Sequence, residues 1–142
     1  MTLAPEDMIC FALYSAGHAM QKAYRPLLDE LGLTYPQYLV LSALWTKDAD
    51  QTVNGIGRRL QLESSTLTPL LKRLELMGLV SRTRSDKDER QVVIALTAEG
   101  RAMKTRAAHV PRCIAEKTGM TLDEIERLRD DVMRLRSSLR EA

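Results

Sequence analysis

The stretch Thr52-Val53-Asn54-Gly55-Ile56-Gly57-Arg58-Arg59-Leu60-Gln61-Leu62-Glu63-Ser64-Ser65-Thr66-Leu67-Thr68-Pro69-Leu70-Leu71-Lys72-Arg73-Leu74 decides the fold. Thr52 is an N-cap residue ahead of Val53, Ile56 and Leu60, which form the apolar stripe of a short helix. Gln61-Leu62-Glu63 is a tight connection. Ser64 or Ser65 caps a second helix whose Leu67, Leu70, Leu71 and Leu74 face inward, and Gly78 stops it. Pro69 has no N–H to donate, which a site near a helix start tolerates. Two short helices joined by a tight turn predict a helix-turn-helix, with the second in the recognition position.

Downstream, residues 79–83 and 92–96 are strand-like and flank the charged run Arg84-Ser85-Asp86-Lys87-Asp88-Glu89-Arg90. Two strands around such a loop, directly after a recognition helix, predict a wing. Thr97 then caps a long helix through Met103, Ala107, Val110 and Ile114, bent at Pro111 and ended by Gly119. Thr121-Leu122-Asp123-Glu124 is a capping box. The last helix places Ile125, Leu128, Val132, Leu135 and Leu139 on a coiled-coil-like seam.

Upstream, residues 8–31 read as one helix with Leu13, Met20, Tyr24, Leu27 and Leu31 on a stripe, bent or locally broken at Pro26 and stopped at Gly32. Thr34-Tyr35-Pro36-Gln37 is a second capping box, opening a helix with Tyr38, Leu41, Leu44 and Trp45 inward. Residues 48–51 form a polar loop. The fold class is mainly α with a small β-wing: a winged helix-turn-helix over about 34–100, with helical regions at 5–33 and 100–142 in one 142-residue domain. The outer helices exceed what a small winged domain needs. Their apolar stripes are expected to be covered by a second copy of the chain, a homodimer; packing within one chain as a small bundle is the alternative.

Hydrophobic residues make up 44% of the sequence and charged residues 28%. That supports a real core and an ordinary surface, and excludes a disordered tail or a fibre. No apolar run approaches the roughly 18 residues of a membrane span, and no signal peptide opens the chain, so a cytoplasmic protein without membrane contact is expected. The two cysteines, Cys10 and Cys113, are too few for a disulfide scaffold and wrongly spaced for zinc; no metal or cofactor is expected. Net charge is +2 but unevenly spread. Residues 1–53 hold 3 basic and 6 acidic side chains, and residues 54–91 hold 8 basic and 5 acidic.

That basic excess sits on the elements that would dock on a duplex. Ser64, Ser65, Thr66 and Thr68 place small hydroxyls at the recognition-helix start, suited to phosphates and base edges. Lys72 and Arg73 follow later on the same helix. Arg84, Lys87 and Arg90 arm the wing, where arginines can enter a narrow minor groove. Arg58 and Arg59 are in reach of phosphates. Any one of these could be part of an ordinary solvated face; the ordered set points to double-stranded DNA.

The sequence also resembles a known family. Asp88-Glu89-Arg90, then five residues, then Leu96-Thr97, is similar to the wing signature of MarR-family winged-helix repressors. Cys10-Phe11-Ala12-Leu13-Tyr14, Tyr24-Arg25-Pro26-Leu27-Leu28, Leu33-Thr34-Tyr35-Pro36-Gln37-Tyr38 and residues 66–75 resemble the OhrR branch, repressors that sense organic hydroperoxides. The resemblance covers residues 8–100 and is loose beyond them. It implies that Cys10 is the peroxide-sensing thiol, that Tyr24 and Tyr35 hydrogen-bond its sulfur, and that Cys113 is the resolving cysteine, within one subunit or between two. His18 and His109 receive no role.

The chemistry sets a condition. A free thiol with a pKa near ~8.5 is mostly protonated at neutral pH, and hydroxyl donors or a helix N-terminus favour the reactive thiolate. Tyr24 lies fourteen residues from Cys10, or roughly 21 Å along a straight helix, so it cannot reach that sulfur in the same chain. An antiparallel first helix from a partner would have to supply it.

The expected function is a homodimeric repressor that leaves a pseudo-palindromic operator when an organic hydroperoxide oxidises Cys10, followed by a disulfide with Cys113. The alternatives are a MarR-type repressor released by a phenolic or other small ligand and, less favoured, a thiol peroxidase. The last would need strand–helix alternation and a Cys-x-x-Cys motif that the chain lacks, so no enzyme is expected.

Overall fold

In the computed structural model, which describes residues 1–46, 51–88 and 90–141, a 3-10 turn at Pro5–Asp7 leads into a chain of helices with one small sheet. The elements are α1 (Ile9–Asp29), α2 (Tyr35–Trp45), β1 (Gln51–Thr52), α3 (Val53–Leu60), α4 (Ser64–Leu76), β2 (Val80–Arg84), β3 (Val92–Leu96), α5 (Ala98–Arg106), α6 (Val110–Thr118) and α7 (Leu122–Glu141). Of the polar loop expected over 48–51, residues 48–50 lie outside the described residues, as does Glu89 of the wing signature. The chain forms two compact units, Met1–Ala108 and His109–Ala142. Among the described residues, no helix is long and apolar enough to cross a membrane.

Capping chemistry sets most of the boundaries in the first unit. At Thr34 the hydroxyl accepts from the Gln37 N–H (3.3 Å) and the Gln37 side chain accepts from the Thr34 N–H (3.0 Å), a complete capping box. Thr52 caps α3 by accepting from the Gly55 N–H at 3.0 Å. Thr97 caps α5 by accepting from the Gly100 N–H, and its own hydroxyl donates to the Gly78 carbonyl at 2.6 Å. Gly32 turns left-handed (φ 70°) after α1, and the Leu33 N–H reaches back to the Leu28 carbonyl.

The sheet is antiparallel in the order β1-β3-β2. In β2–β3, Val80 opposes Leu96, Arg82 opposes Ile94 and Arg84 opposes Val92. The core lies between this sheet and the helices: Val40, Leu41, Ile56, Leu74 and Ile94 are fully buried, with Leu67 and Leu71 at 1% exposure. Each such side chain contributes roughly 1.5–3 kcal/mol of burial free energy. The far end of α2 is held by polar bonds. Arg59 donates to the Ala43 carbonyl and the Thr46 hydroxyl (both 2.7 Å), and the Gln51 amide donates to the same carbonyl.

Several expectations are corrected. Pro26 does not break α1, which runs unbroken from Ile9 to Asp29. The single long helix after Thr97 is two, interrupted at 107–109, so that Pro111 falls in the first turn of α6, where no intrahelical N–H bond is needed. The cap of α4 is Glu63, without a side-chain bond; Ser64 and Ser65 are already helical. Pro69 is therefore an interior proline, whose missing N–H leaves the Ser65 carbonyl without its usual helical donor. Arg84 closes strand β2, one residue beyond the expected end. β1 was not anticipated.

The second unit contains α6 and α7. Thr121 and Glu124 form the expected reciprocal capping box (3.0 and 3.2 Å) at the start of α7. No residue of α7 is buried: Leu122 is 71% exposed and Leu139 65%. Over α1, likewise, only Leu28 is buried, with Ile9, Phe11, Tyr14 and Met20 all exposed.

Candidate functional site

Two groups of side chains stand out. The first lies on α4 and the wing. Ser64, Ser65 and Thr66 occupy the first turn of α4, Thr68 the next, and Lys72 and Arg73 follow about one turn further on; all six are exposed. The Glu63 carbonyl accepts the Thr66 and Leu67 N–H groups. The turn before α4 places Gln61 in a left-handed conformation (φ 56°), unusual for a residue with a side chain. The Leu62 N–H returns from it to the Gly57 carbonyl at 2.9 Å. Gly57 permits this close approach: a Cβ there would lie 2.9 Å from the Leu62 carbonyl oxygen.

In the wing, the Ser85 N–H bonds the Gln91 carbonyl, closing the loop beyond β2 and β3. The Asp88 side chain accepts from the Arg90 N–H at 3.0 Å and its carbonyl accepts from Gln91. The aspartate of the wing signature thus shapes the turn that presents Arg90. Arg84, Lys87 and Arg90 are all exposed. Arg59, expected to reach phosphates, instead turns back to α2; Arg58 remains exposed. Arg82, overlooked in the sequence, lies on β2 opposite the buried Ile94 and lines a cleft with Thr68 and Arg90. Arg84, two residues on and on the same face of the strand, lies at its end and is exposed.

The second group joins α1 to α2. The rings of Tyr24 and Tyr35 lie 5.0 Å apart, Tyr24 and Tyr38 5.8 Å, and Tyr38 and Trp45 6.2 Å. Burial, then the neighbouring Tyr35 and Tyr38, pushes the Tyr24 hydroxyl up from 10.0 to about 12. Burial raises Tyr35 as well. Both phenols therefore keep their protons at neutral pH and can act as hydrogen-bond donors.

Cys10 sits at the second residue of α1, exposed and free. Because α1 is unbroken, fourteen residues separate it from Tyr24, roughly 21 Å of helix. The tyrosine pair is brought together within one chain; the thiol is not brought to it. Cys113 is a free, half-exposed thiol on α6, in the other unit from Cys10, with its N–H bonded to the His109 carbonyl. Among the described residues, no group of three or more His, Cys, Asp or Glu side chains converges as metal ligands would.

Comparison with known proteins gives a consistent set. The family model of the transcriptional regulators SarA/Rot matches residues 22–106. The HTH-type transcriptional regulator TtmR of Methylorubrum extorquens is 50% identical over 134 residues, 94% of this chain and 68% of that protein. The organic hydroperoxide resistance transcriptional regulator of Bacillus subtilis is 42% identical over 134 residues, 94% of this chain and 90% of that one. Among solved structures, AbfR of Staphylococcus epidermidis has a TM-score of 0.80 at 36% identity, covering 94% of this chain and 92% of its own. AbfR has also been solved reduced and bound to DNA, overoxidized and bound to DNA, and with a disulfide formed.

Proposed function

Because the chain belongs to the MarR-type winged-helix transcriptional regulators, in their OhrR-like branch, we propose that it is a homodimeric repressor whose Cys10 senses organic hydroperoxides. Helix α4 enters the major groove of operator DNA and the Arg90 wing flanks it. Ser64, Ser65, Thr66, Thr68, Lys72, Arg73, Arg84 and Lys87 supply the surrounding contacts.

One observation carries the redox half of this reading. Cys10 lies at the start of one unbroken helix and Tyr24, packed on Tyr35 of α2, lies toward its other end, and the apolar face of that helix is uncovered. A second copy with its α1 antiparallel covers that face and places Cys10 against the partner's tyrosines. The helical regions at 5–33 and 100–142 form the dimer, and 34–100 the DNA-binding part. Two protonated phenols then donate to the sulfur and favour the thiolate.

The thiolate attacks the distal oxygen of the hydroperoxide. The O–O bond breaks, Cys10 becomes a sulfenic acid, and the alkoxide leaves and takes a proton to become an alcohol. A thiol then condenses with the sulfenic acid, forming an S–S bond and releasing water. Cys113 is the resolving thiol, and the helix movement that this bond requires moves the two recognition helices out of register with the DNA.

The decisive experiment measures binding to an operator selected from a random duplex library, before and after cumene hydroperoxide. Wild type should release the duplex. Cys10→Ser should bind and stay bound. Tyr24→Phe and Tyr35→Phe should bind when reduced but respond more slowly. A Cys10→Ser protein that still releases DNA on oxidation overturns the assignment.

A further inference from the structure

A cleft of about 250 Å³ opens between the start of α3, helix α4 and the wing, lined by Asn54, Thr68, Arg82, Arg90 and Gln91 among others. Arg82 opposes Ile94 across the β2–β3 ladder, so its side chain leaves the sheet on the face that buries Ile94, not on the solvent face. It is half-buried, and among the described residues it has no hydrogen-bond or ion-pair partner. A guanidinium carries five donors, and leaving them partly desolvated without an acceptor is costly. No carboxylate among the described residues lines the cleft; a second guanidinium, Arg90, does. Such a cleft favours an oxyanion.

We propose that this oxyanion is a backbone phosphate of bound duplex DNA, with Arg82 as its principal donor and Thr68 and Arg90 flanking it. Free inorganic phosphate shares that chemistry. The duplex is favoured because Thr68 on α4 and Arg90 on the wing are exposed on the two elements assigned to dock, so a duplex seated there brings its backbone across the cleft mouth. The inference rests on the DNA-binding reading and adds to it a contact residue that is neither on the recognition helix nor at the wing tip.

The experiment is a salt series of fluorescence-anisotropy titrations with the selected operator and a scrambled duplex. Arg82→Gln should weaken both by a similar factor, about tenfold. It should also flatten the slope of log affinity against log salt by about 1. Arg82→Lys, which keeps the charge, should retain the wild-type slope. Should Arg82→Gln fail to fold by circular dichroism, Arg82→Met replaces it and keeps the aliphatic stem. Unchanged affinity overturns the proposal, and so does weakened binding with an unchanged slope, because the arginine would then only shape the wing. Calorimetric titration with inorganic phosphate alone distinguishes the other source: saturable binding that depends on Arg82, with no change in the DNA salt slope, assigns the cleft to a free anion. If wild type itself binds duplexes without salt dependence, the DNA-binding reading fails first.

Discussion

Trp45 donates its indole N–H to the carbonyl of Gly100 at 2.9 Å, a buried bond that ties the end of α2 to the first turn of α5. Gly100 is packed so closely that an added Cβ would collide with the Leu79 carbonyl oxygen. The residue leading into β2, helix α2 and helix α5 therefore meet at one backbone position. Trp45→Phe keeps an aromatic ring but removes one buried hydrogen bond from a carbonyl that α5 still uses, and should cost about 0.5–1.5 kcal/mol. Gly100→Ala should cost at least about as much through overpacking. Urea unfolding of the reduced protein checks both, with unchanged midpoints counting against the joint.

The raised tyrosines make stability depend on alkaline pH. The Tyr24 hydroxyl stands near 10 in the unfolded chain and about 12 in the fold, so the folded state holds the proton more tightly. That contribution is fully present below pH 10 and is lost as pH rises from 10 through 12. Wild type should lose stability across that window more steeply than Tyr24→Phe, read from denaturant midpoints at each pH. Phenolate absorbance should show a tyrosine titrating near 12 that disappears in the variant.

Recognition through α4 and the wing should be strongly electrostatic. Lys72→Ala and Arg90→Ala should each weaken operator binding about tenfold. Wild-type affinity should fall with a log–log salt slope of about −0.9 per phosphate neutralised. The half-sites should lie about one helical turn apart, near 34 Å. Full affinity from both variants would remove α4 and the wing from the interface.

The role of Cys113 is separable from that of Cys10. Wild type treated with hydroperoxide should give a covalent dimer on non-reducing gels, absent in Cys113→Ser. That variant should still form the sulfenic acid, detectable with dimedone, and go on to further oxidation or to a mixed disulfide with an added small thiol. A covalent dimer that survives Cys113→Ser, or wild type that stays monomeric with no internal disulfide by intact mass, would leave Cys113 structural.

The parts of this fold legible in the sequence are those set by local chemistry. Thr34 with Gln37, Thr121 with Glu124, and the lone caps Thr52 and Thr97 all act where the residue types place them. What escaped depends on tertiary placement. Gln51–Thr52 is too short for periodicity and is a strand only because β3 offers it a partner. The break at 107–109 is masked by an apolar stripe that continues through it, since Met103, Ala107, Val110 and Ile114 are all buried. Glu63 caps α4 through backbone geometry alone, so the two serines beside it looked the better caps. In the candidate site, composition marked the exposed arginines, but Arg82 and Arg84 share one face of β2, and only tertiary placement half-buries Arg82 in the cleft while Arg84, at the strand end, stays exposed.

The straightness of α1 has a consequence for genetics. If each sensing site takes its thiol from one chain and its phenols from the other, two different defects can cure one another. A strain expressing Cys10→Ser alone, or a Tyr24→Phe, Tyr35→Phe double variant alone, responds poorly. Expressed together, the two alleles form mixed dimers in which the intact cysteine of one chain meets the intact tyrosines of the other, rebuilding one working site per dimer. Were thiol and phenols supplied by the same chain, no mixture of the two alleles would restore the response. An unbroken helix thus makes interallelic complementation a direct readout of which subunit supplies what.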